Sequence, residues 1–455
     1  MGADYTNITD RSEGLRVSIL GGGSAYTPGL IEGFIRQKHK VPLKELVLMD
    51  IDGEKLETVG SLVSRMVEKE LPGVRVTLTG DRARAIRGMD FILCQIRVGG
   101  LAARHVDESV PLRFGVIGQE TTGPGGFSMA LRTIPVMVEI AREIEALNPS
   151  AWLINYTNPT GLVAEAIKRT SNIKHISICD EPMVLQESLA SFLKVPPEKL
   201  FFDYFGLNHL AWTRRVFLQG KDILPELRRA VREVPFEKIE PLFGEEVLKD
   251  PKVRMELENT LRIFVETGML PSPYLQYYFF TDEILSYQRK TGKTRAQEVM
   301  ELEKELLSEY RLVTRGVRAL EIRRGGKWHA DMMVGMLGAI ASDTREVYIV
   351  NVPNRGSIPD LPYEKIVEVP ALVDAGGAHP LAAGRMPKEV RGLIQAVAAY
   401  EELTVEAALE GSYEKALQAL GCHPLVPSRT VARKILDTYL DEHREYLPQF
   451  RSKTS

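Results

Sequence analysis

The 455-residue length of the chain exceeds what one ordinary hydrophobic core organises, so we expect two or three domains. A composition with 44% hydrophobic and 26% charged residues is globular and excludes disordered or fibrous classes. A net charge of −3 gives no electrostatic basis for binding nucleic acid or anionic lipid. No apolar run reaches the ~20 residues that a membrane span requires.

The cysteines and the amino-terminal segment bear on the cellular compartment. Cys94, Cys179 and Cys422 are widely spaced and odd in number, which indicates a reducing environment rather than a disulfide framework. The first residues, "MGADYTNITDRSEG", lack the apolar stretch of a secretory signal. We therefore expect a cytoplasmic protein.

The first predicted element is a β-branched strand, Leu15–Leu20, which runs into Gly21, Gly22 and Gly23 before a helix that begins near Thr27. Glycines allow a tight turn with close approach of the backbone to a pyrophosphate, which the helix N-terminus attracts. The pattern is typical of a dinucleotide-binding loop. A strand-to-helix turn without a ligand is the alternative.

The next strand completes the nucleotide-binding pattern. It ends at Asp50, more than twenty residues beyond the loop, where a carboxylate would bind a ribose 2′-hydroxyl and favour NAD over NADP. The last glycine of the usual fingerprint is replaced by Tyr26, so the match is imperfect. The predicted NAD-binding residues are Gly21, Gly22, Gly23, Ser24, Tyr26, Thr27 and Asp50.

Strands and helices continue to alternate through the first half of the chain. Strands are expected at 75–80, 90–96, 151–156 and 173–179, and helices around 81–87, 131–147 and 161–170. This alternation predicts a Rossmann-like, doubly wound α/β sheet, which we assign to residues 1–195. Ligands of such sheets bind beyond the carboxyl ends of the strands, so "QIRVGG", "NYTNPTG" and "CDEP" should converge.

The second half, residues 196–455, combines amphipathic helical patterns with two strand-like segments. The helical patterns cover 298–313, 393–409 and 434–446, and the strands are "REVYIVNVPN" and "KIVEVPALVD". We expect an α+β domain that closes over the edge of the sheet, with the active site between the two domains.

A thiol and an imidazole stand out as candidate metal ligands. Cys179 ends a predicted strand and is followed by Asp180 and by Pro182, a helix start whose N-terminus would lower the pKa of the thiol. His209 lies in the apolar stretch "FGLNHL". A buried inert cysteine and a hydrogen-bonded core histidine are the alternatives.

The chain resembles glycoside hydrolase family 4, the NAD- and divalent-metal-dependent glycosidases, and within it the 6-phospho-glycosidase branch. The matching segments are "GGGSAYTPG", "QIRVGGLAARHVDESVPLRFGVIGQETTGPGG", "NYTNPTGLVAEA", "CDEP", "FGLNHLAW", "PSPYLQYYFFTDE" and "TRAQEVM". The resemblance implies a lactate/malate dehydrogenase-like fold, a homodimer or homotetramer, and a phosphorylated disaccharide or glycoside as substrate.

The resemblance also implies the chemistry. Cys179 and His209 would be the two protein ligands of Mn²⁺ or a similar ion, fewer than the four of a closed zinc site. NAD⁺ would oxidise the sugar at C3, which acidifies the proton on C2. Tyr274 would remove that proton, and Asp180 would assist elimination of the aglycone. Water addition and re-reduction at C3 would complete the hydrolysis.

Four further residues match positions that contact the substrate in the resembled family. Asn158 and Asn208 would contact the sugar, and Arg97 and Arg295 would bind the 6-phosphate, which guanidinium groups bind in a bidentate manner. A plain turn residue before proline is the alternative for Asn158, and a solvated surface position is the alternative for Arg295.

The predicted function is a 6-phospho-β-glucosidase. Asp180 favours the α-specific branch, whereas "NPTG", "RRGGKWHAD" and "VNVPNRGSIPDLP" favour the β-specific one. The alternatives are a 6-phospho-α-glucosidase and a plain NAD-dependent 2-hydroxy-acid dehydrogenase, which would accumulate NADH without a metal. An NAD-sensing regulatory protein would bind NAD and turn over no glycoside.

Overall fold

The computed structural model describes residues 14–239, 249–317 and 327–453. The polar amino-terminal residues 1–13 and the first four residues of "RRGGKWHAD" lie outside the described residues. No helix in the described ranges has both the length and the apolar character needed to cross a bilayer.

The first half of the chain forms a parallel sheet. Its strands lie in the order β3-β2-β1-β4-β5-β6, which is the doubly wound arrangement predicted from the sequence. Because helices cover both faces, the strands are apolar along most of their length, as in the fully buried β4. The strands are β1 Leu15–Leu20, β2 Leu43–Met49, β3 Arg75–Thr79, β4 Phe91–Cys94, β5 Trp152–Asn155 and β6 Lys174–Ser177.

Helices connect these strands. Asp52 and Asp81 start two of them by accepting hydrogen bonds from backbone N–H groups of the first turn. The helices are α1 Thr27–Arg36, α2 Gly53–Glu70, α3 Arg82–Ile86, α4 Gly100–Arg113, α5 Gly123–Leu147, α6 Thr160–Thr170 and α7 Glu181–Leu193.

Three strands from the second half extend the same sheet. β11 Glu346–Pro353 pairs antiparallel with β6, followed by β12 Ile366–Asp374 and β13 Gly377–Pro380. Within the described residues the sheet thus has nine strands. Both predicted strand segments of the second half are confirmed, and they lie beside the parallel strands of the first half.

A smaller antiparallel sheet carries the second part of the candidate site. β7 Leu200–Leu207 and β8 Leu210–Leu218 form a hairpin whose turn has only two residues, Asn208 and His209. The outer strands β9 Lys221–Asp222 and β10 Leu270–Pro271 both pair with β8.

Helices make up most of the remaining second half. The three predicted amphipathic segments fall in α13, α15 and α17, and the last of these ends earlier than expected. The helices are α8 Leu224–Glu233, α9 Phe236–Ile239, α10 Pro251–Thr267, α11 Gln276–Phe279, α12 Thr281–Thr291, α13 Arg295–Thr314, α14 Lys327–Ser342, α15 Lys388–Glu410, α16 Tyr413–Cys422 and α17 Arg429–Glu442.

Candidate active site

The glycine turn between β1 and α1 has no room for side chains. Gly21 has φ +85°, and a Cβ there would lie 2.9 Å from the carbonyl oxygen of Gln95. A Cβ on Gly23 would lie 2.9 Å from Oδ2 of Asp50. The backbone N–H of Gly23 donates to that same oxygen at 2.9 Å. This crowded backbone at a helix N-terminus suits close approach of a pyrophosphate.

The other predicted cofactor residues surround this turn. The backbone N–H of Tyr26 donates to Ser24 Oγ at 3.2 Å, and the Gln95 amide donates to Thr27 Oγ1 at 2.9 Å. Oδ1 of Asp50 accepts from the backbone N–H of Asp52 at 3.0 Å. Asp50 therefore organises the loop, in addition to its position at the end of β2.

The structure brings the candidate metal ligands together. Cys179 follows β6 just before α7, His209 lies in the β7–β8 turn, and Sγ of Cys179 is 3.4 Å from Nε2 of His209. Metal–sulfur and metal–nitrogen bonds of about 2.3 and 2.1 Å place two ligand atoms about 3.1–3.6 Å apart at angles of about 90–110°. The donor pair therefore fits a single ion.

Both groups are buried, which determines their charge in the absence of a metal. Burial, together with Asp180, Glu368 and Glu181, raises the pKa of the Cys179 thiol well above its usual value. The expected lowering by the helix N-terminus is therefore wrong, because desolvation and three carboxylates outweigh it. Burial lowers the pKa of His209 to about 4, so its imidazole is neutral at physiological pH.

Cys179 and His209 are a pair of candidate ligands rather than part of a larger cluster in the part of the chain that the structure describes. The described residues contain no group of three or more His, Cys, Asp or Glu side chains arranged to hold a metal. The Cys179 thiol points toward Oδ1 of Asp180, at 3.9 Å, so a carboxylate lies beside the donor pair. The remaining coordination positions are thus left for water or substrate oxygens.

Tyr274 packs directly on the metal-ligand candidate. Its ring stacks on the His209 imidazole, with 3.9 Å between centroids and 17° between planes. Burial, followed by Cys179 and Glu120, raises the pKa of the Tyr274 hydroxyl well above its usual value. A phenolate at this position therefore requires a nearby cation.

A cavity of about 580 Å³ opens beside these groups. Its wall includes Tyr26, which follows the glycine turn, and the catalytic candidates Asp180 and Tyr274. The end of the glycine turn and these two residues therefore line the same cavity. Basic and acidic side chains complete it, namely Arg104, Lys252, Lys293, Arg295, Glu108, Glu120, Glu256 and Glu298.

The two predicted phosphate ligands lie differently with respect to this cavity. Arg295 lines it but is exposed and pairs with Glu298 at 2.7 Å. Arg97 is half-buried, and its Nη1 donates to Glu120 Oε2 at 2.6 Å. Arg97 and Arg104 both hold the pKa of Glu120 below its usual range, although burial acts the other way.

The two predicted asparagines lie in loops of different sheets. Asn158 follows β5, and its Oδ1 accepts from the Thr160 hydroxyl at 3.2 Å. Asn208 stands beside His209, and its amide donates to Oε1 of Glu368 at 3.0 Å. Asn208 also lines a second cavity of about 20 Å³, whereas neither asparagine lines the large one.

Residue-level reasoning missed a buried acidic cluster behind Cys179. The hydroxyl of Tyr204 lies 2.7 Å from Glu368 and 3.3 Å from Glu181. Burial raises the pKa of Glu368 to about 7, and burial together with Glu368 raises that of Glu181 well above its usual value. The sequence signal was the glutamate inside the apolar strand "IVEVPALVD", since a charged residue in such a strand is buried only with partners.

Two family models match the chain. The model described as Family 4 glycosyl hydrolase covers residues 16–195, and the Family 4 glycosyl hydrolase C-terminal domain covers residues 204–426. A probable 6-phospho-β-glucosidase of Bacillus subtilis is 40% identical, over 97% of this chain and 99% of its own length.

Solved structures of both specificities are similar to the chain. A 6-phospho-α-glucosidase from gut microorganisms, in complex with NAD and Mn²⁺, has a TM-score of 0.88 and 33% identity, over 96% of this chain and 100% of its own. The 6-phospho-β-glucosidase of Thermotoga maritima, with manganese, NAD⁺ and glucose-6-phosphate, has a TM-score of 0.83 and 32% identity, over 95% and 99%. The chain therefore belongs to glycosyl hydrolase family 4, and it is an enzyme of the 6-phospho-glucosidase type.

Proposed function

We propose that this enzyme hydrolyses the glycosidic bond of 6-phospho-β-glucosides with NAD and Mn²⁺ as cofactors. The observation that carries the proposal is the meeting of Cys179, His209 and Tyr274 beside a cavity that Asp180 also lines. The relatives solved with NAD and manganese, and the 40% identical probable β-glucosidase, support the cofactors and the anomer.

Each half of the chain has its own part in this proposal. Residues 1–195 hold NAD at the glycine turn, with Asp50 at the ribose, and residues 196–455 contribute His209 and Tyr274. When bound, NAD supplies reversible oxidation of the sugar at C3, and Mn²⁺ supplies Lewis-acid polarisation of the adjacent oxygens. Cys179 and His209 hold the ion.

The side chains of the site then move two protons. Tyr274 takes the proton from C2, because the nearby cation offsets the burial that raises its pKa. Asp180 donates a proton to the leaving oxygen. Asn158 and Asn208 orient the sugar.

Phosphate recognition is assigned to two arginines. Arg97 and Arg295 bind the 6-phosphate through charge-assisted hydrogen bonds. Arg295 exchanges its exposed partner Glu298 for the ligand, whereas Arg97 keeps Glu120.

A 6-phospho-α-glucosidase is the second candidate, and Asp180 in the cavity wall favours it. The family resemblance implies that an aspartate at this position acts as the acid of the α-specific branch. Elimination at C1 removes the configuration of that carbon, so both anomers are chemically accessible to one site.

Paired assays separate these candidates. p-Nitrophenyl 6-phospho-β- and α-glucosides, and the corresponding galactosides, are incubated with enzyme, NAD⁺, Mn²⁺ and a reductant. We expect fastest release from the β-glucoside. Faster release from the α-glucoside would reassign the anomer, and lasting NADH formation without nitrophenol would indicate a dehydrogenase. The oligomeric state and the cytoplasmic location stay predictions.

A further inference from the structure

Glu368 is a buried carboxylate with three side-chain donors around it. It lies on β12, it has no exposed surface, and it is 160 residues from Asn208 in the chain. Its Oε1 accepts from the amide of Asn208 at 3.0 Å and from the amide of Asn351 at 2.9 Å. Its Oε2 accepts from the hydroxyl of Tyr204 at 2.7 Å.

The turn that Glu368 contacts is conformationally demanding. His209 has φ +62°, in the left-handed region that only a few per cent of non-glycine residues adopt, with Asn, Asp and His the commonest among them. A two-residue turn with positive φ at its second residue usually places glycine or asparagine there. A non-glycine residue there persists only when surrounding contacts over-determine it. Asn208 is the neighbouring residue of the turn, and Glu368 is its side-chain partner.

We propose that Glu368 is a positioning residue that fixes the Asn208–His209 turn, so that His209 Nε2 faces Cys179 Sγ at the distance one ion requires. The proposal rests on the metal role proposed above for Cys179 and His209. Glu368 on β12 and Asn351 on β11 both belong to the large sheet. Oε1 of Glu368 accepts from Asn351 and also from Asn208, so it connects the hairpin of the small sheet to the large sheet. The large sheet carries Cys179 at the end of β6. Glu368 therefore links the two elements that bear the ligands.

Two substitutions separate this role from an effect of charge. Glu368→Gln keeps a carbonyl oxygen for Asn208 and Asn351, and its amide can donate to the oxygen of Tyr204. Glu368→Met has similar length and no such acceptor. A positioning role predicts rescue by glutamine. An electrostatic action on the thiol predicts tighter Mn²⁺ binding in both variants, because the Glu368 carboxylate is one of the groups that raise the pKa of Cys179.

The measurement is Mn²⁺ affinity of the full-length protein without substrate, by electron paramagnetic resonance of the free ion. Partners of metal ligands typically change affinity about 10- to 100-fold. We expect at least about a tenfold weakening in Glu368→Met, and less than about threefold in Glu368→Gln. NAD affinity should remain unchanged in both, because the glycine turn does not contact Glu368.

A matched control removes another buried carboxylate of the same half. Asp360 accepts from the backbone N–H of Met386 at 2.7 Å and does not contact the turn. Asp360→Leu should lower the melting temperature and leave Mn²⁺ affinity at the wild-type value. If Glu368→Met does not fold, Asn208→Ala replaces it, with the same expected weakening.

Two results overturn the inference. One is wild-type Mn²⁺ affinity in folded Glu368→Met or Asn208→Ala protein, and the other is an equal loss in Glu368→Gln. Cys179→Ser measured alongside distinguishes a failure of the metal site itself. If Cys179→Ser binds Mn²⁺ like wild type, the ligand assignment fails; if it does not bind and Glu368→Met binds normally, only the role of Glu368 fails.

Discussion

Two turns carry the candidate site, and they are stabilised differently. The glycine turn of Gly21–Gly23 joins consecutive elements, and its nearest acidic partner, Asp50, is only 27 residues from Gly23. The Asn208–His209 turn depends on Glu368, which lies 160 residues from Asn208. The conformation of the first turn is therefore determined by nearby residues of the sequence, whereas that of the second depends on contacts that exist only in the completed fold. Substitutions at the glycine turn should therefore affect NAD binding alone, and substitutions at the Asn208–His209 turn should affect metal binding alone.

The largest expected effect comes from the thiol near the second turn. Cys179→Ser should lower turnover by about 10³-fold or more, because a Lewis acid supplies several kcal/mol of transition-state stabilisation. NAD affinity should stay unchanged, as measured by fluorescence titration. Cys422→Ser, at an exposed cysteine, is the control. A fully active Cys179→Ser enzyme would reassign this thiol as structural.

The tyrosine stacked on His209 comes next. Tyr274→Phe keeps the stacking ring and removes the hydroxyl, so kcat should fall about 10²- to 10⁴-fold, the usual contribution of a general base. Mn²⁺ and NAD affinities should be retained. Tyr278→Phe, whose hydroxyl lies near His423 instead, should lower kcat much less. Equal kcat values for the two variants would exclude Tyr274 as the base.

The role of the glycine turn in NAD binding is tested by adding one methyl group to Gly23. Gly23→Ala places a Cβ against Asp50, and overpacking of about 1–3 kcal/mol should weaken NAD binding about tenfold or more. Mn²⁺ affinity should not change. Gly53→Ala, where no atom lies within 4 Å of the added carbon, is the matched control. Loss of Mn²⁺ affinity in Gly23→Ala would mean that the two turns are coupled.

Phosphate recognition should show a smaller effect. Arg295→Ala should raise KM about tenfold for 6-phosphorylated substrates, since a charge-assisted hydrogen bond contributes about 1.5–3 kcal/mol and this side chain is half exposed. KM for unphosphorylated glucosides should not rise. Arg311→Ala, on the same helix but paired with Glu54, serves as control. An equal rise with both substrate types would contradict the phosphate role.

The last effect is on stability at acid pH rather than on binding or turnover. Burial lowers the pKa of His423 to about 3, whereas its pKa in the unfolded chain is about 6.5. As pH falls below about 6.5, the unfolded chain binds a proton that the folded protein does not bind, and the free energy of unfolding decreases. Between pH 6.5 and 5 this amounts to about 2 kcal/mol. Thermal unfolding of the metal-free protein should therefore be less pH-dependent in His423→Gln than in wild type. An unchanged pH dependence would show that His423 is not the titrating group.

Local pattern predicted much of the fold, whereas the family resemblance predicted the candidate site. The six parallel strands follow from β-branched runs with glycine, proline or acidic residues at their ends. The pairing of Cys179 with His209 came from the family resemblance, and the distance of 3.4 Å agrees with it. The resemblance also predicted Tyr274 and Asp180 as site residues, and both line the adjoining cavity.

What could not be predicted depends on contacts between distant segments. The raised thiol pKa of Cys179 was not predicted, because it depends first on burial in the completed fold and then on Asp180 and on Glu368 from a distant strand. The pairing of β11 with β6 was missed because register and neighbour order are not encoded in either strand alone. The partner of Arg97 was likewise not evident, since Glu120 lies on a separate loop.

In the proposed reaction, bound NAD oxidises the sugar at C3 before the bond to the aglycone breaks. The most direct test removes all nicotinamide from the purified protein and assays the preferred p-nitrophenyl 6-phosphoglucoside in D₂O with Mn²⁺. We expect no release of nitrophenol until NAD⁺ is added, and the product should then carry deuterium at C2. Undiminished release from the nicotinamide-free protein, with hydrogen retained at C2, would contradict it.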